Sequence, residues 1–310
     1  MDPGDAELAA RSAPRDPEEL AAAAEQRPAE LSASTKVGAV HLTVAALDRS
    51  IDFYRSALGL TPLDERDGRV SLGAGEQELL VLVEEPGARP AQGYSGLYHF
   101  ALLVPHRADL ARWLAHVARE RIPLAGLSDH FVSEAIYLAD PDGHGIEIYA
   151  DRPRALWEGQ VGARMTTVPL DVTSLFGELD DPATAPFGGL PPGTTMGHVH
   201  LKVAAIADTV AFYRDILGFA LVAQFGAQAA FLSAGGYHHH LGANTWASAG
   251  AAAPPPGTAA LRQATIVVGD TAELDRVRDR LEEHGQAPQS SNGGFTVSDP
   301  SGNPLLLTVG

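Results

Sequence analysis

At 310 residues, 45% of them hydrophobic, the chain is long enough for about two cored domains. Its formal net charge of −17 argues against nucleic acid or an anionic membrane as partner, because both are bound by clustered Lys and Arg. The absence of cysteine excludes disulfides and thiolate metal sites, leaves His and carboxylates as the strong ligands, and fits a reducing cytoplasm.

Residues 1–35 are rich in Ala, Glu, Pro and Arg and lack the apolar core of a signal peptide. A disordered tail is expected there, and no run anywhere reaches membrane-spanning length. A strand is predicted at 37–44, then a helix over 47–58 whose Leu47, Ile51, Tyr54 and Leu58 fall on one stripe. Strands follow at 68–73, 78–84 and 97–104, and a helix over 107–120 is striped by Leu110, Leu114 and Val117. Residues 129–149, DHFVSEAIYLADPDGHGIEIY, read as two strands, 135–139 and 146–150, around an Asp-Pro-Asp-Gly reversal. In the second strand Ile146 and Ile148 take one face, Glu147 and Tyr149 the other. A carboxylate facing inward there needs a cation or hydrogen bonds, and His130 and Tyr137, both able to transfer protons, precede it. The plain alternative is a surface strand with Glu147 in water.

The Pro- and Gly-bearing segment 152–195 reads as a linker, with an amphipathic piece near Leu170–Leu179 that packs on one half. Beyond it the chain repeats itself. VHLTVAALDRSIDFYRSALGL at 40–60 matches VHLKVAAIADTVAFYRDILGF at 199–219, and the same offset carries DPDG at 140–143 onto DPSG at 299–302. The second copy is predicted as strand 197–203, helix 207–217 and strands 220–225, 229–233 and 237–242. Strand 261–268, a helix over 271–284 closed by Gly285, and strands 294–298 and 304–308 follow. The fold class is α+β: four βαβββ modules, two in a first domain over 36–151 and two in a second over 196–310.

The segments FYRSALGL, FYRDILGF, DPDGHGIEIY and DPSGNPLLL resemble the vicinal oxygen chelate superfamily (glyoxalase, bleomycin resistance, extradiol dioxygenase) over about 37–310, the linker excepted. The resemblance implies pairs of modules curled into open cup-shaped barrels, two in all, around a divalent metal. Two His and one carboxylate suit a non-haem Fe(II) site. In that superfamily one ligand stands on the first strand of a module, five residues before the Val that ends it, and a Glu stands on a last strand. On this sequence the rule selects His99 and Glu147 in module two and His198 in module three. Modules one and four offer Ala39, Gln263 and Leu306 instead. A complete set then implies modules paired two with three and one with four; pairing within the half, with His41 as third ligand, is the alternative. His200 and, by strand alternation, His238 and His240 are expected to line the pocket or back the ligands, with Asn244 and Trp246 continuing that wall.

Within the superfamily the stretch is most similar to catechol 2,3-dioxygenase-like ring-cleaving enzymes. That implies His130 as acid or base and Tyr137 as a hydrogen-bond partner of the substrate. It also implies Fe(II) or Mn(II) as cofactor, O2 as co-substrate and a small aromatic diol as substrate. Two readings stay open beside it. One is a glyoxalase-like lyase or isomerase using Zn(II) or Ni(II), which calls for a fourth protein ligand. The other is a metal-free protein that sequesters an aromatic compound. A homodimer is compatible with exposed strand edges.

Overall fold

The computed structural model describes residues 30–291 and 293–310. Val40, Leu42 and Val44 alternate inward along β1 (Lys36–Val44) and are buried. α1 (Leu47–Phe53) widens into a π turn over Tyr54–Leu58, closed by Gly59 in the left-handed region at φ 66°. β2 (Thr61–Arg66), β3 (Arg69–Ala74) and β4 (Gln77–Glu84) complete module one. After the short β5 (Arg89–Pro90), module two comprises β6 (Gly96–Leu103), α2 (Arg107–Glu120), β7 (Gly126–Asp129), β8 (Ser133–Ala139) and β9 (Gly145–Asp151). The linker carries α3 (Val161–Arg164), β10 (Val168–Pro169) and α4 (Val172–Phe176).

Module three repeats the pattern with β11 (Thr195–Lys202) and α5 (Ile206–Val210), the latter running into a π turn over Ala211–Leu217. β12 (Ala220–Phe225), β13 (Ala229–Ser233) and β14 (Leu241–Asn244) complete it. β15 (Thr258–Ala259) pairs with β5. Module four holds β16 (Leu261–Val268), α6 (Thr271–Glu283), β17 (Gln289–Ser291), β18 (Gly294–Ser298) and β19 (Pro304–Val309).

Each large sheet takes strands from both halves of the chain. One runs β17-β18-β19-β16-β1-β4-β3-β2, the other β10-β7-β8-β9-β6-β11-β14-β13-β12. The joints are antiparallel, β1 on β16 and β6 on β11. Strands of modules one and four therefore share one sheet, and those of modules two and three the other.

A different set of contacts ties the modules within a half. Tyr54 Oη donates to Asp140 Oδ2 at 3.0 Å, and Tyr213 Oη to Asp299 Oδ2 at 3.2 Å. Asp140 Oδ1 accepts from the backbone N–H groups of Asp142 and His144, and Asp299 Oδ1 from those of Ser301 and Asn303. These buried carboxylates would be costly without such partners, so the FYR and DPxG segments recur together.

The structure departs from the predicted elements at several points. β2, β7 and β17 were not predicted; β2 is exposed along its length and so has no apolar alternation to betray it. Residues 237–240 form a loop rather than a strand, because Gly235 and Gly236, at φ 60° and 69°, turn the chain ahead of β14. Of the expected tail, residues 1–29 lie outside the described residues. Leu31 is buried and its N–H donates to the Gly218 carbonyl, while that of Ser32 donates to Glu273. In the linker, α4 buries Leu175 and packs on α2, where Arg107 bonds the Ser174 carbonyl and Glu178. Among the described residues no helix is long and apolar enough to cross a membrane.

Candidate metal centre

β6 lies between β9 and β11. Each of the three contributes one side chain to a common point: His99 from β6, Glu147 from β9 and His198 from β11. His99 Nε2 stands 3.0 Å from Glu147 Oε2, His198 Nε2 stands 3.3 Å from the same oxygen, and the two nitrogens are 3.4 Å apart. All three residues are buried. Donors held about 2.1 Å from one ion in octahedral or tetrahedral array lie roughly 3.0 to 3.4 Å from one another. The spacing therefore fits a divalent cation.

The charges fit it too. Burial brings His198 down to about 4 against the pull of Glu147, so the ring is neutral at pH 7 and presents a lone pair. Burial opposes charge on Glu147, but the adjacent His198 and His99 rings hold its carboxyl well below the usual range. A buried carboxylate facing imidazole lone pairs is costly unless a cation joins them. Glycines make the room: a Cβ on Gly197 would lie 1.8 Å from Tyr149 Oη, and one on Gly145 2.1 Å from the Tyr98 carbonyl oxygen.

Tyr137 sits directly across the β8–β9 ladder from Glu147. Its hydroxyl is 2.7 Å from His130 Nε2, and His130 Nδ1 is 2.8 Å from the Thr166 carbonyl oxygen. A carbonyl only accepts, which puts the imidazole proton on Nδ1 and leaves Nε2 to accept from Tyr137. Burial, with the Glu147 charge behind it, pushes the Tyr137 phenol well above its ordinary value, so it stays protonated.

A cavity of about 850 Å³ opens over these groups, and His99, Glu147, His198, His130, Tyr137 and His200 all line it. His200 pairs with His99 across the β6–β11 joint, and its buried Nε2 has no partner among the described residues. A Cβ on Gly242 would come within 2.8 Å of the His200 ring, so that glycine sets its place.

Strand alternation does not hold over the histidine run, since residues 237–240 are a loop. His239 lines the cavity, and His238 and His240 do not. His238 Nε2 lies 2.9 Å from Asp151 Oδ1 and its Nδ1 2.8 Å from His239 Nδ1. His240 Nδ1 accepts from the Ala234 N–H. Asn244 is buried behind the wall, its Oδ1 accepting from the N–H of Trp246, which does line the cavity. His41 stands on β1 in the other sheet, paired with Gln263. Burial and then the Arg69 and Arg262 guanidiniums bring it down to about 4 there. Among the described residues the cluster able to hold a metal is His99, Glu147 and His198. His239, Tyr98 and the linker residues Met165, Thr166 and Thr167 also line the cavity, and periodicity singled out none of them. The Gly235-Gly236 pair was the available signal for a loop that would present His239.

The family model for the Glyoxalase/Bleomycin resistance protein/Dioxygenase superfamily matches residues 36–148 and 195–307. The chain belongs to this superfamily. This superfamily member is 41% identical over 281 residues to catechol-2,3-dioxygenase of Bacillus subtilis (strain 168), covering 89% of this chain and 97% of that one. Among solved structures it matches a candidate dioxygenase from Bacillus subtilis subsp. subtilis str. 168 with a TM-score of 0.63 at 16% identity, covering 91% and 86% of the two chains. It matches glyoxalase I from Zea mays with a TM-score of 0.55 at 17% identity, covering 89% and 92%. At such identities the structural likenesses speak for the fold alone.

Proposed function

We propose that this protein is an extradiol ring-cleaving dioxygenase that holds iron(II) or manganese(II) on His99, His198 and Glu147 and opens a catechol ring beside its two hydroxyls. The observation that carries the reading is the convergence of the three ligand atoms next to the hydrogen-bonded His130–Tyr137 pair. The 41% identity to a catechol-2,3-dioxygenase over nearly the whole chain supports it. Modules paired two with three and one with four, each pair curling into an open cup, account for a complete ligand set drawn from two halves.

The metal, when bound, supplies open positions for the diol and for dioxygen, and favours ionisation of a bound hydroxyl. The chain's own residues do the rest. Two imidazole ligands and the Glu147 carboxylate would leave a divalent ion one net positive charge, which one ionised diol oxygen would neutralise. Tyr137, protonated at neutral pH, offers its hydroxyl at the Glu147 side of the cavity. A proton leaving the diol passes through Tyr137 to His130 Nε2, whose ring is fixed by Nδ1–H on the Thr166 carbonyl. Leu138, Ile146, Met165 and Phe231 give the cavity a largely apolar wall. Both atoms of O2 enter the product, a muconic semialdehyde, so no external reductant is consumed.

A three-donor cluster also supports this reading over a lyase needing a fourth protein ligand, since neither His238 nor His240 joins it. The test is anaerobic loading with Fe(II) followed by oxygen uptake with catechol. The expected result is equimolar loss of O2 and catechol; a protein that binds iron yet consumes no oxygen with any catechol would sink the reading.

A further inference from the structure

The cavity over the triad is larger than the reaction needs. At about 850 Å³ it is of the size that takes drug-sized molecules, several times what one six-membered ring fills. Its polar wall, apart from the triad and its histidines and tyrosines, is neutral: Ser128, Ser133, Thr166, Thr167 and Gln228. Among the described residues neither Lys nor Arg lines it. The arginines on the flanking segments are engaged elsewhere. Arg152 holds Asp129 at 2.5 Å, and Arg164 stacks 3.9 Å over the Phe131 ring.

The mouth has the opposite character. Tyr98, Phe225 and Trp246 all line the cavity, yet they are 42%, 51% and 56% exposed, three of the six large hydrophobic side chains that stand out into solvent among the described residues. They are not scattered. Trp246 packs edge-on against Tyr98 at 5.4 Å and tilted against His200 at 5.7 Å, and Phe225 packs edge-on to Phe231 at 6.0 Å. An aromatic path therefore runs from the triad outwards to an exposed rim. Exposed apolar surface gathered at a cavity mouth marks a binding surface.

Resting on the dioxygenase reading above, we propose that the preferred substrate is an uncharged catechol bearing a bulky apolar group, aryl or branched alkyl, that reaches from the triad to the Tyr98–Phe225–Trp246 rim. Catechols with a carboxylate side chain are excluded. One ionised diol oxygen already meets the charge of the ion, and a second anion would lose its hydration with no cation to receive it.

The test uses the Fe(II)-loaded protein and four diols: catechol, 3-phenylcatechol, 4-tert-butylcatechol and 3,4-dihydroxyphenylacetate. For at least one apolar-substituted diol kcat/KM should exceed that for catechol by roughly tenfold, and that for the carboxylate by about a hundredfold. Trp246→Ala and Phe225→Ala should lower kcat/KM for the apolar-substituted diol several times more than for catechol. A carboxylate turned over as well as the phenyl compound, or variants that lower both diols equally, would overturn the proposal. A second arm needs no turnover. Trp113 and Trp157 are buried, so quenching of the exposed Trp246 under nitrogen reports occupancy of the rim. Quenching by 3-phenylcatechol, absent with the carboxylate and lost in Trp246→Phe, supports the pocket even if no diol consumes oxygen. Equal quenching by both overturns it. Absence of oxygen uptake with all four diols counts against ring cleavage, separately from the rim.

Discussion

Glu147 is buried on a strand next to two imidazole nitrogens, and the chemistry proposed here turns on that placement. In the proposed mechanism the proton-transfer pair, His130 and Tyr137, is distinct from the metal ligands. His130→Ala should therefore leave the metal content intact while lowering kcat by roughly a hundredfold or more, the usual worth of a positioned acid or base. Tyr137→Phe should lower kcat by a comparable factor, because the proton path from the diol to His130 runs through the Tyr137 hydroxyl. Metal analysis beside steady-state rates checks both; loss of metal in His130→Ala would put that residue in the wrong role. Buried histidines, His198 of the triad among them, contribute to the pH dependence of stability. Burial, reinforced by His238 and His198, lowers His240 to about 4, and His41 is lowered equally. Between the ordinary value of 6.5 and about 4 the unfolded chain takes up protons that the folded one refuses. Stability is thus full above that window and falls as pH drops through it. The urea midpoint of the metal-free protein should decline on acidification from pH 7, and less steeply in His41→Asn. A midpoint that rises on acidification would contradict this.

At the scale of elements, the two π turns and the two DPxG turns act as matched fasteners, Tyr54 to Asp140 and Tyr213 to Asp299. Removing either hydroxyl leaves a buried carboxylate one hydrogen bond short, which typically costs about 1 to 3 kcal/mol. Tyr54→Phe and Tyr213→Phe should each lower the free energy of unfolding by an amount in that range. A change near zero would mean that water replaces the lost donor. Regular elements with a buried face were legible in the chain: α2 spans the predicted residues, and so do β12, β13, β16 and β18. Strands without such a face were not, β2 being fully exposed and β7 half-buried throughout. The GYHHH segment was misread for a related reason. Its alternation matched a strand, but two successive glycines with positive φ bend the chain first. That bend brings His239, not its neighbours, to the cavity.

At the scale of the molecule, sheets that cross between halves coexist with fasteners that stay within them. Hydrophobic pattern alone does not distinguish crossed from uncrossed sheets, because both bury the same faces. What pointed to the crossing was ligand chemistry, since Ala39, Gln263 and Leu306 bind no metal whereas His99, Glu147 and His198 complete a set only across the linker. The strand order joins β6 of one half to β11 of the other. It sets His41 in the other sheet, paired with Gln263. The decisive measurement is the iron bound per chain after anaerobic reconstitution of the wild type, His198→Ala and His41→Ala. Wild type and His41→Ala should each retain one equivalent, while His198→Ala should lose it. Iron retained by His198→Ala and lost from His41→Ala would show that the ligands come from a single half.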